Sequence, residues 1–180
     1  MLDCRLSESV SSSKTIPHIE RSARLIGTGV AYYFLTTAVV MIGAYFGYCF
    51  VEFCSEHPSA KKSDFASALA AWDGRWYMEI VDRGYSYRRD NKANVAFFPV
   101  YPLLACGVSR LTGLRAEIAL LLVSHISLIG AFVMASVYLN ERFADNPNAR
   151  GCALLTMGVL PSTLYFRMTY TDYLFILFVI

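Results

Sequence analysis

The feature that most constrains this chain is a run without a single charge, Leu25 to Val51. A helix rises 1.5 Å per residue, so about 20 apolar residues cross the ~30 Å hydrocarbon core of a bilayer. This run exceeds that length. A second run, Ile118 to Asn140, is free of Lys, Arg, Asp and Glu. Inside hydrocarbon every backbone N–H and C=O must be satisfied within its own segment, which forces such runs into helices. The expected fold class is therefore all-α, a multi-spanning helical membrane protein. Composition agrees: 56% of the 180 residues are hydrophobic and 17% are charged, against about 45–50% and about 25% in soluble domains. The net charge of +2 and the lack of a basic run exclude nucleic acid as a partner.

Residues 1–24 are Ser-rich and hold no apolar core of a cleavable signal, so they are read as a cytoplasmic tail. Residues 25–51 form transmembrane helix 1, an uncleaved anchor. Arg5, Lys14, Arg21 and Arg24 precede it, and the positive-inside rule keeps them in the cytoplasm. Gly43 and Gly47 have the small-xxx-small spacing that lets a second helix approach closely. Residues 52–117 then form an extracytoplasmic or lumenal loop carrying interfacial helices. Ser63 is placed to cap a short helix, and a longer one is expected from about Asp73 to Gly84, a good stop residue. Trp76, Tyr77, Ile80 and Val81 share one face of it; Arg75, Glu79 and Asp82 share the other. That pattern suits a helix lying flat on a membrane with Trp76 and Ile80 inward. Phe97 to Leu111 is too short to span and is expected to be interfacial or re-entrant, with Pro99 and Pro102 fixing a bend. Residues 118–140 are transmembrane helix 2 and 141–150 a cytoplasmic turn. Residues 151–168 are transmembrane helix 3, which reaches full length if Arg167 snorkels. Residues 169–180 begin a fourth that they do not complete.

The five cysteines, Cys4, Cys49, Cys54, Cys106 and Cys152, show no metal-ligand spacing. They read as small apolar fillers, with a Cys54–Cys106 pair open on topology. No metal or other cofactor is expected. His125 lies inside the second span and is expected to be neutral and hydrogen-bonded to a neighbouring helix.

One stretch stands apart: WDGRWYMEIVDRGYSYRRDNKANVAFFPVYP, Trp72 to Pro102, mixes acids, bases and aromatics. With LPSTLYFRMTYTDYLF further on, it resembles the PIG-V family of membrane mannosyltransferases. The resemblance rests on Trp72-Asp73, Trp76-Tyr77, the segment Ile80 to Tyr85, and Phe97-Phe98-Pro99-Val100-Tyr101-Pro102-Leu103. In the second block Pro161, Tyr170, Thr171, Leu174 and Phe175 fit, while Asp172 stands where the family has Glu and Tyr173 where it has a small residue. The likeness covers about residues 25–180. Family members are longer, so it implies an N-terminal portion or truncated member of a GT-C glycosyltransferase.

Such an enzyme moves a hexose from a polyprenyl-phosphate donor to a hydroxyl on a lipid or protein acceptor, with inversion, at the extracytoplasmic face. An alcohol is a poor nucleophile near neutral pH, so a carboxylate must take its proton; the leaving phosphate needs cationic or N–H partners. The resemblance makes Asp73 the base. From the residues alone an Asp opening a helix is equally an N-cap. Glu79 and Asp82 read as a solvated helix face. Arg83, Arg88, Arg89 and Lys92 are candidates for the donor phosphate, or for a charged loop against lipid headgroups. Trp72, Trp76, Tyr77 and Tyr85 are candidates for stacking on sugar or packing against isoprenoid, or for interfacial anchoring; Phe98 and Tyr101, in the resembling block, are further substrate-binding candidates. Asp172 is expected on the same side as Asp73, where it either approaches the site as a substrate-binding residue or merely caps the fourth helix. The location implied is the bacterial plasma membrane, or the endoplasmic reticulum in a eukaryote. The alternative is a catalytically inactive relative or a non-enzymatic multi-pass protein.

Overall fold

The computed structural model describes residues 18–54, 65–70, 73–87, 94–160, 163–164 and 167–179. Among them the chain is all-helical. The elements are α1 (His18–Cys54), α2 (Phe65–Leu69), α3 (Asp73–Arg83), α4 (Val100–Thr112), α5 (Ala116–Arg142), α6 (Pro147–Val159) and α7 (Asp172–Val179). Two helices are long and apolar enough to cross a bilayer: α1 over Ile19–Phe50 and α5 over Ala116–Arg142. Ser63, Trp72, Arg88, Arg89, Lys92 and Pro161 lie outside the described residues.

Helix α5 is the axis of the fold. Half of its most apolar window is buried, against 17% for α1. One length of α5 buries Ala119, Leu120 and Val123 with Tyr77 and Ile80 of α3, Tyr101 and Ala105 of α4, and Leu174 of α7. The next length buries Leu128, Ala131, Phe132 and Ala135 with Tyr33 of α1 and Leu154 of α6. The α1–α5 seam closes at Gly29. A Cβ there would lie 2.7 Å from the Val133 Cα, so only hydrogen allows the two backbones to meet. The Ser136 hydroxyl donates to the Leu25 carbonyl at 2.8 Å just beside it. Gly43 and Gly47, the pair with the helix-contact spacing, have nothing within 4 Å of a would-be Cβ. The close approach therefore uses a different glycine, half a helix away.

Pro99 and Pro102 lie where the chain turns from the loop into a helix. They open α4, where Pro99 is the N-cap and Pro102 falls in the first turn, positions that have no helical partner for an N–H in any case. At 13 residues α4 is about 20 Å long, too short to span. Helix α6 is also 13 residues and closes at Val159, short of residue 168. Arg167 is fully buried rather than reaching for the surface. Its guanidinium donates to Thr36 Oγ1 at 2.9 Å, Thr37 Oγ1 at 3.2 Å and the Thr163 carbonyl at 3.2 Å. Nearby, the Tyr33 hydroxyl and His125 Nδ1 lie 3.0 Å apart, the inter-helix bond expected of that histidine. Cys106 is a free thiol, so the Cys54–Cys106 pair does not form.

Candidate functional site

Helix α3 runs from Asp73 to Arg83 and stops at Gly84, whose φ of 80° suits a residue without Cβ. The Gly84 N–H closes the helix on the Ile80 carbonyl at 2.8 Å. Asp73, Arg75 and Asp82 are exposed, while Gly74, Tyr77 and Ile80 are buried. The apolar stripe is thus covered by α4 and α5, not laid on lipid. A stripe states that a helix needs cover, and here protein supplies it.

The start of α3 docks on the segment that leads into α7. The Thr169 N–H donates to the Leu69 carbonyl at 3.3 Å. Gly74 lies against Thr169, whose Oγ1 occupies the space that a Cβ at position 74 would take. That hydroxyl is buried with no hydrogen-bond partner among the described residues, a cost accepted where the two segments touch. Tyr77, one turn along α3, comes near Thr171 of the same segment. Burial pushes the Tyr77 hydroxyl above its ordinary range, the neighbouring Thr171 side chain works the other way, and the Asp73 and Asp172 carboxylates add to the upward push. Both carboxylates thus act on one phenol.

Aromatic rings build the floor. Tyr77 meets Phe97 and Tyr101 edge-on at 5.1 and 5.0 Å, and half-exposed Trp76 stacks on Phe97 at 6.0 Å. The Tyr101 hydroxyl is 2.8 Å from Ser124 Oγ and donates to the Leu120 carbonyl at 3.1 Å. Ser124 Oγ in turn reaches the Tyr170 carbonyl at 3.4 Å. The Tyr85 hydroxyl donates to the Phe97 carbonyl at 3.0 Å. Beside this floor lies a groove of about 230 Å³, lined by Phe98, Val100, Thr171, Asp172, Leu174, Phe175 and Phe178. Asp172 and Phe98 are exposed at its edge.

The candidates therefore separate. Asp73, Trp76, Tyr77, Phe98 and Asp172 gather around the α3–α7 junction. Tyr101 is fully buried and supports the floor from beneath instead of facing a ligand. Arg83 sits at the far end of α3, about 15 Å along the axis from Asp73. Tyr85 is tied back to Phe97. No cluster of His, Cys, Asp or Glu that could hold a metal occurs among the described residues.

Sequence reasoning missed Asn94. It is fully buried; its Oδ1 accepts the Ser86 N–H at 2.7 Å and its Nδ2 donates to the Gly84 carbonyl at 3.3 Å. An isolated Asn in a polar stretch has no periodicity to reveal it. Thr169 and Ser124 were also missed, because small hydroxyls in apolar runs read as filler. Comparison with known proteins adds no relative: no family model, curated protein or solved structure matches this chain.

Proposed function

We propose that this chain is a membrane-embedded glycosyltransferase of the PIG-V type. It moves a hexose from a polyprenyl-phosphate donor to a hydroxyl acceptor on the extracytoplasmic side. The observation that carries the reading is the meeting of its two polar blocks where Gly74, next to Asp73, lies on Thr169, three residues before Asp172. Asp73 is solvent-facing and takes the acceptor's proton. As the new bond to the sugar's anomeric carbon forms from the opposite face, the bond to the phosphate oxygen breaks, and the polyprenyl phosphate leaves with its electron pair. The apolar groove under Phe98, Leu174, Phe175 and Phe178 offers a course for the donor's isoprenoid. Lipid is the solvent for α1, whose Phe34, Phe46 and Phe50 are 61%, 70% and 68% exposed, far more apolar surface than water tolerates on one helix.

A second reading, a multi-pass protein without activity, draws on Arg83. Its 15 Å offset from Asp73 leaves the leaving phosphate without that cation.

The test is transfer itself. Proteoliposomes of the chain receive labelled hexosyl polyprenyl phosphate and a panel of hydroxyl-bearing lipids and peptides. Label is expected to pass to an acceptor with inverted anomeric configuration. Label that stays on the donor against every acceptor favours the second reading.

A further inference from the structure

At the other end of the helices, where α1 begins, α5 ends and α6 begins, lies a cavity of about 210 Å³ lined in part by Tyr32, Asn140, Arg150 and Gly151. It is separate from the candidate site: Asn140 lies about 24 Å along α5 from Ser124. Two side-chain donors line it. The Arg150 guanidinium is oriented by a bond to Asn140 Oδ1, which takes one of its five N–H groups. The Tyr32 hydroxyl rests against Gly151, 2.8 Å from where a Cβ would stand. Asn146 closes the first turn of α6, its Oδ1 accepting the Ala149 N–H at 3.0 Å and its carbonyl the Arg150 N–H at 3.3 Å. Asn140, whose carbonyl holds Arg150, is itself buried. Arg21, Arg24 and Arg142 are exposed on the same end, as are Glu20, Glu141 and Asp145. No carboxylate is among the residues lining the cavity.

We infer that this cavity binds the phosphate of an anionic phospholipid headgroup. The inference rests on the membrane part of the proposed function and not on its chemistry. A cationic pocket at the ends of bilayer-length helices lies at headgroup depth, where anionic lipid is the abundant phosphate source.

The test uses the whole chain in nanodiscs mixing phosphatidylcholine with phosphatidylglycerol. After extraction into detergent, the lipid still attached is counted by native mass spectrometry. Phosphatidylglycerol should be enriched about fivefold over its share of the bilayer, the effect of one well-placed basic residue. Arg150→Gln should bring the ratio to parity, Arg150→Lys should keep part of it, and Arg142→Gln should leave it unchanged. If Arg150→Gln does not fold, Tyr32→Phe removes only a hydroxyl and should lower the enrichment. Equal retention of both lipids by the native chain overturns the inference, as does an unchanged ratio in the Arg150 or Tyr32 variant that folds. Inorganic phosphate is titrated in a separate arm. Arg150-dependent phosphate binding without lipid preference overturns the lipid source. A chain that never enters the discs overturns the membrane reading as well; a chain that enters them without lipid preference overturns this inference alone.

Discussion

Replacing Asp73 by Asn is expected to cut sugar transfer by about 10²–10⁴-fold, the usual worth of a general base, while membrane insertion and abundance stay near wild type. The side chain is exposed at the first residue of α3, so the exchange disturbs no core packing. Asn and Asp serve a helix N-terminus about equally as caps, although Asp also gains from the helix dipole, by about 0.3–1 kcal/mol. The amide keeps shape and hydrogen bonding but cannot accept the acceptor's proton. Asp73→Ala should lose the same activity and, in addition, about 1 kcal/mol if the side chain also caps α3. Initial rates in proteoliposomes, with chemical denaturation in mild detergent alongside, separate the two roles. A wild-type rate in Asp73→Asn would make Asp73 a structural residue and move the base elsewhere, with Asp172 the next to replace.

The second large effect is structural. Gly29→Leu should destabilise the chain by more than the 1–3 kcal/mol typical of overpacking. A Cβ there would stand 2.7 Å from the Val133 Cα, 2.8 Å from the Phe132 carbonyl oxygen and 2.9 Å from the Val133 nitrogen. All three are backbone atoms, so no side chain can swing aside, and α1 must move away from α5. That motion also stretches the Ser136 to Leu25 bond. Gly43→Leu is the control, because its Cβ meets nothing within 4 Å. It should be neutral or stabilising, since leucine is the better helix former by somewhat under 1 kcal/mol. Unfolding in mixed detergent, followed by tryptophan fluorescence, gives both values. Equal stabilities for the two variants would contradict the Gly29 seam.

The same pair of glycines shows what the sequence could and could not convey. Uncharged runs and a Gly stop signal are local properties. The apolar runs at Leu25–Val51 and Ile118–Asn140 lie within α1 and α5, and Gly84 ends α3. Which glycine touches a neighbour depends on the neighbour, and spacing alone pointed to Gly43 and Gly47. Arg167 is the sharper case. At the end of an apolar run an arginine is expected to reach for headgroups, but Thr36 and Thr37, which hold it, are about 130 residues earlier. Tyr101 reads equally as core or as ligand contact in the sequence, because aromatic residues serve cores and sites alike; the fold buries it. The serine that fixes it in the core, Ser124, carries no pattern of its own. At the site, the two blocks could be read singly as chemistry-bearing. Their contact through Gly74 and Thr169 is a tertiary fact.

That contact is the centre of the account, and a cross-link tests it most directly. A Cβ at position 74 would lie 3.3 Å from the Thr169 Cβ, close to the ~3.5–4.5 Å spacing of disulfide Cβ atoms. In a chain whose own five cysteines are replaced by serine or alanine, Gly74→Cys with Thr169→Cys should oxidise readily in the membrane. The product should migrate as a compact band on a non-reducing gel and revert with reductant. Gly74→Cys with Ser136→Cys, at opposite ends of the helices, should not. A Gly74/Thr169 pair that stays reduced under conditions that oxidise other close cysteines would mean that the two polar blocks do not form one site.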